Sequence, residues 1–148
     1  MIIFQNVSKI YNGNGHHKVT ALEDATFTIN PKEFVSLVGK SGAGKSTIIK
    51  LLIGEEKPTK GRIIFASYDV NKLKLKELPY LRRRVGVIFQ DFRLLANKTV
   101  YENIAFALEV AGRLQSDIED FVPQILEMVG LSQICILMLI LVLLYKKN

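Results

Sequence analysis

One cysteine, two histidines and no tryptophan occur in 148 residues, and each scarcity closes a class of function. Cys135 alone cannot form an internal disulfide, so the fold rests on packing rather than covalent staples. His16 and His17 stand in a Gly/Asn loop with no cysteine or carboxylate cluster beside them, the pattern of solvated loop residues rather than metal ligands. The start, Met1-Ile2-Ile3-Phe4-Gln5-Asn6, lacks the basic stretch and long apolar core of a secretory signal, which makes a cytoplasmic location the expectation. No low-complexity linker and no internal repeat interrupts the chain. One domain, large enough to bury a core, is expected.

Charge is missing from one stretch. Between Glu127 and Lys146 no residue carries it, and Ile134 to Leu144 is uninterrupted apolar sequence. As a helix those residues would span about 17 Å, against about 30 Å of bilayer hydrocarbon, too short to cross. Three readings stay open: an unrelated ending after an interrupted reading frame, an interfacial tail with Lys146-Lys147 at the headgroups, or a core strand over 136–144. Elsewhere the balance is basic, with a net charge of +6. Arg82-Arg83-Arg84 and Lys72, Lys74 and Lys76 surround Leu73, Leu75, Leu78 and Leu81, as on the solvated flank of an amphipathic segment or one weakly attracted to anionic lipid. No aromatic platform or reading helix accompanies them, so nucleic acid is not an expected partner.

What the sequence does contain is Gly39-Lys40-Ser41-Gly42-Ala43-Gly44-Lys45-Ser46, the phosphate-binding pattern G-x-x-x-x-G-K-[ST], between the apolar run Phe34 to Val38 and the helical run from Thr47 to Ile53. Three glycines let the backbone turn back so that its N–H groups converge on phosphate oxygens at the positive end of a helix dipole. Lys45 is placed to reach the β and γ phosphates, and Ser46 to offer its hydroxyl to Mg²⁺.

Around this loop the periodicity predicts strands over Ile2–Val7 and Ala21–Asn30, joined through Asn12-Gly13-Asn14-Gly15, and a buried strand over Phe34–Val38. Pro58 to Gly61 turns the chain into a strand over Arg62–Phe65, and Val85–Phe89 reads as another short buried strand. Thr99 caps a helix from Val100 to about Ala111 that presents Val100, Ile104, Ala107, Leu108 and Ala111 on one face. Ser116 and Glu119 have capping-box spacing for a further helix, with Pro123 as a break or kink and Gly130 as a stop.

A hairpin ahead of the phosphate loop, Tyr11 before a variable loop and Phe89-Gln90-Asp91 at a strand end together resemble the nucleotide-binding domain of ABC ATPases. Within that family, 73–112 is similar to the FtsE group of cell-division ATP-binding subunits: Glu77-Leu78-Pro79-Tyr80-Leu81-Arg82-Arg83, Val87-Ile88-Phe89-Gln90-Asp91-Phe92-Arg93-Leu94-Leu95 and Lys98-Thr99-Val100-Tyr101-Glu102-Asn103. The resemblance implies an α/β P-loop NTPase fold with an antiparallel β-subdomain, residues 1–131 forming the N-terminal part of that domain and 132–148 an apolar tail. It implies ATP and Mg²⁺ held by Gly39 to Thr47, adenine stacked on Tyr11, and Gln90 contacting Mg²⁺ and the attacking water. It also implies an integral membrane partner resembling FtsX docked along Gln90–Asn97, a homodimer, and a peripheral position at the inner face of the cell membrane.

The pattern is incomplete. After Asp91 no strand ends in Asp-Glu to hold Mg²⁺ and polarise water, no Leu-Ser-Gly-Gly signature appears, and Leu131-Ser132-Gln133 is no substitute. A switch histidine is absent too. Binding without hydrolysis is therefore expected of this chain, with no catalytic residue assigned. A non-catalytic nucleotide-binding module and, less well matched, a P-loop small-molecule kinase are the rival readings.

Overall fold

The computed structural model describes residues 1–13 and 17–136, in two compact units divided after Gly86. In the first, β1 (Ile2–Asn12) is flanked by β2 (Lys18–Ile29) and β3 (Lys60–Phe65), and β4 (Tyr68–Asp69) continues the sheet from β3, every pairing being antiparallel. The register sets Phe4 opposite Phe27, and their rings stack with centroids 4.5 Å apart. A bulge breaks the β1–β2 ladder after Phe4; there Asn6 takes φ 49°, its N–H donates to Thr26 Oγ1 and its Nδ2 to Asp24 Oδ1. Side chains thus satisfy the groups that the ladder releases.

The helix α1 (Lys45–Leu52) contributes Leu51 and Leu52 to a core completed by Phe4, Val7, Ile63, Val70, Leu78 and Leu81. Burying each such side chain contributes about 1.5–3 kcal/mol. Short α2 (Leu78–Arg82) is tied to the end of α1 through Arg82, whose guanidinium donates to the carbonyls of Ile53 (3.0 Å) and Gly54 (3.3 Å), where a cation also meets the negative end of the helix dipole.

Two strands expected from the sequence do not form. Phe34–Val38 and Val85–Phe89 carry no strand pairing, and Phe34, Val38 and Ile88 are 94%, 85% and 93% exposed. An apolar run buries itself as a strand only when other strands flank it and layers cover its faces. Among the described residues nothing supplies these. The other strands form and extend past their predicted ends: β1 runs on to Asn12, β2 starts at Lys18 and β3 at Lys60.

The second unit is built on α3 (Val100–Val110) and α4 (Gln115–Met128), which enclose Val100, Ala105, Ile118, Val122 and Leu126. Ala105 is buried where Ala107 and Ala111 were expected, and the latter two are exposed. The contact arc on α3 is centred on the flank that also carries Tyr101, Ile104 and Leu108, all packed on this core. Ser116 does not cap α4; the helix starts at Gln115 behind Leu114, with no side-chain cap. Pro123 lies inside α4 without ending it, and the helix closes at Gly130, with Gly130 N–H on Glu127 O and Leu131 N–H on Leu126 O. Beyond it, Leu131, Ile134 and Cys135 pack on the same core, and Tyr101 N–H donates to Cys135 O at 2.9 Å. Residues 137–148, and with them the readings of the apolar tail, lie outside the described residues. Among those described, no helix is long and apolar enough to cross a membrane.

Candidate phosphate-binding site

Gly44 joins the loop to both the sheet and the helix. It is the N-cap of α1 at φ 83°, and a Cβ there would sit 2.2 Å from Ala21 O and 3.0 Å from Leu22 Cδ2 on β2. Both the left-handed backbone and the close approach demand glycine. Gly42 also lies at φ 80°, but open space surrounds it. Between them Ala43 N–H donates to Lys40 O at 3.2 Å and closes the turn.

The helix start behind this turn has no side-chain cap and no acidic residue in its first turn. Its leading N–H groups, those of Lys45, Ser46 and Thr47 among them, have no intrahelical acceptor and sit at the positive end of the dipole. The Lys45 ammonium lies across the loop, donating to Gly39 O and Lys40 O at 2.7 Å each, which commits two of its three protons. Left-handed glycine turns, uncapped N–H groups and a spanning ammonium form a cradle that fits a phosphate chain. Lys40, Ser41 and Ser46 are exposed at its rim, whereas the Thr47 side chain is buried, leaving Thr47 only its backbone to offer. Ser46 has a hydroxyl free to reach a Mg²⁺ ion; among the described residues no cluster of three or more His, Cys, Asp or Glu could hold a metal without one.

Tyr11 lies near the end of β1, paired with Val19 and partly buried. The Lys9 ammonium sits over its ring, 4.8 Å from the centroid, and is held there by Glu56 Oε2 (2.7 Å) and Lys57 O (2.8 Å).

Gln90 belongs to the second unit, the phosphate loop and Tyr11 to the first. Gln90 is exposed in a turn closed by Phe92 N–H on Phe89 O (3.0 Å). Phe92 and Arg93 follow at φ 55° and 46°, a conformation that costs about 1–2 kcal/mol at a residue bearing a Cβ. The Arg93 guanidinium covers the Phe89 ring at 3.7 Å and stands 3.9 Å from Asp91 Oδ1. Downstream, Thr99 and Glu102 form a full capping box: Glu102 N–H donates to Thr99 Oγ1 (3.1 Å) and Thr99 N–H to Glu102 Oε2 (2.7 Å). That backbone bond first, then the Thr99 side chain and Lys98, hold the Glu102 carboxyl below its ordinary value. Sequence reasoning missed Asn103, whose carboxamide binds the backbone of Leu95, Lys98 and Thr99. The only signal was an asparagine one turn inside a capped helix.

The family model described as ABC transporter matches residues 22–138. The chain belongs to the ABC transporter family. It is 51% identical over 132 residues to the cell division ATP-binding protein FtsE of Bacillus subtilis (strain 168), covering 89% of this chain and 56% of that protein. It is 46% identical over 133 residues to the methionine import ATP-binding protein MetN of Geobacillus kaustophilus (strain HTA426), covering 89% and 38%. Its fold matches the dimeric post-hydrolysis ATP-binding cassette MJ0796 bound to ADP and Pi with a TM-score of 0.81 at 30% identity, over 92% of this chain and 60% of that one. The P-loop NTPase fold with its antiparallel sheet is therefore that of an ABC cassette, and this chain spans little more than half the length of the FtsE protein it matches.

Proposed function

We propose that this chain is the nucleotide-gripping part of an FtsE-like ATP-binding subunit acting in cell division. It binds ATP–Mg²⁺ through Gly39 to Thr47, with adenine stacked on Tyr11 and Mg²⁺ reached by Ser46. The observation that carries the nucleotide reading is the uncapped start of α1 behind Gly42 and Gly44, with Lys45 laid across it. The 51% identity with an FtsE protein, against 46% with a MetN protein, favours cell division over import.

By the same likeness, the segment Gln90–Asn97 receives a membrane partner resembling FtsX, two copies pair across nucleotide, and the subunit works peripherally on the inner membrane face. Among the described residues no Asp-Glu strand end follows Asp91, and no catalytic residue is assigned among them. Calorimetric titration with ATP–Mg²⁺ tests the grip. Lys45→Ala is expected to lose more than tenfold in affinity, and equal affinity in the two proteins would remove the phosphate assignment.

A further inference from the structure

Of the four leucines that the sequence sets on one amphipathic face, the fold uses three. Leu78 and Leu81 are buried and Leu73 packs against the same core, but Leu75 is 85% exposed. It stands between Lys74 and Lys76, both exposed. Leu73 lines both the groove that Leu75 and Lys74 border and a second, open groove of about 530 Å³ lined by Tyr68, Tyr80 and Arg84 among others. There the Arg84 guanidinium lies 5.4 Å from the Tyr68 ring centroid, and Tyr80 is 62% exposed. Three carboxylates border these grooves: Glu77, whose Oε2 accepts Lys74 N–H at 2.7 Å, Glu56, which is paired with Lys9, and the exposed Glu55.

We propose that this edge of the first unit is a direct contact for an anionic phospholipid surface. Lys74, Lys76 and Arg84 meet headgroup phosphates, Tyr80 lies at headgroup depth and Leu75 enters the acyl boundary. Phosphate and cation supply the charge complementarity. An exposed aliphatic side chain framed by cations gains energy where water ends, as at a bilayer interface, and nothing from a hydrated polyanion. The inference does not depend on nucleotide binding.

Flotation of the full chain with phosphatidylcholine vesicles, with and without a third of phosphatidylglycerol, at low and high salt, tests it. Binding is expected to require phosphatidylglycerol and to weaken in salt. Lys74→Gln/Lys76→Gln/Arg84→Gln should lose about fivefold per charge removed, the corresponding Lys→Arg variant at positions 74 and 76 should retain binding, and Leu75→Ser should weaken it at both salt concentrations. Equal binding to both vesicle types or an unchanged triple variant would overturn the proposal. Unaltered circular dichroism and melting of the variants exclude unfolding as the cause of a loss.

Discussion

The carboxamide of Asn103 pairs with both sides of the Leu95 peptide backbone: Leu95 N–H donates to Oδ1 at 2.8 Å, and Nδ2 donates to Leu95 O at 3.1 Å. Nδ2 also reaches Thr99 O at 2.9 Å. The segment that follows Gln90 is thereby fastened to the first turn of α3 by one side chain, as a strand is fastened by a neighbour.

Asn103→Ala would strand the donor and acceptor of Leu95 and is expected to cost about 1–3 kcal/mol locally. Hydrogen exchange at the Leu95 amide should accelerate accordingly. Asn103→Asp keeps an acceptor for Leu95 N–H and removes the donors, so it should fall between. Unchanged protection in the alanine variant would show that packing, not the carboxamide, holds the segment.

Gly44 and Gly42 share a left-handed backbone but differ in surroundings. Gly42→Ala adds backbone strain of about 1–2 kcal/mol, whereas Gly44→Ala adds that strain and drives a methyl into the Ala21 carbonyl. Gly44→Ala should melt at clearly lower temperature than Gly42→Ala and lose nucleotide binding with it. Equal melting of the two would mean that β2 yields to the methyl.

The capping box makes α3 sensitive to acid. The Glu102 carboxyl is held below its ordinary value of 4.5 by the Thr99 backbone bond first. A group depressed in the folded state contributes its full stabilisation above the unfolded value and loses it as pH falls through the folded one. Amide protection in the first turn of α3 should therefore be flat above pH 4.5 and decline below it, and Glu102→Gln should flatten that decline. A decline that persists in Glu102→Gln would assign it to other carboxylates.

Tyr11→Ala is expected to weaken ATP binding by about 1–3 kcal/mol, the range for a stacked base. Steady hydrolysis by the wild-type chain should be near background. Turnover that disappears with Lys45→Ala would show that a water-polarising group exists after all. An affinity indifferent to Tyr11 would leave that ring a support for Lys9 alone.

Features set by neighbours in sequence were legible beforehand. The phosphate loop, the helix behind it, the hairpin and the Thr99 cap all follow from spacing over a few residues, and the structure contains each. What spacing could not give is what lies across an element. Phe34–Val38 has the composition of a buried strand, but composition states what a strand needs and not whether its neighbours are at hand. Ser116 and Glu119 have the right interval for a box, yet α4 starts one residue earlier and Ser116 falls inside the helix. Leu75 fits the apolar pattern and is left outside, because α2 starts only at Leu78 and the chain before it follows no helical period. Asn103 was read only as part of a resemblance, since a side chain that binds backbone eight residues away leaves no periodic trace.

The unpaired run from Phe34 to Val38 has a bearing on how long the molecule survives in a cell. Chaperones and proteases recognise extended apolar backbone, and here it is displayed without any helix having to melt. Capture of that run requires no global unfolding. A polypeptide docking alongside this unpaired run would then lengthen the half-life of the protein without changing its melting temperature in proportion.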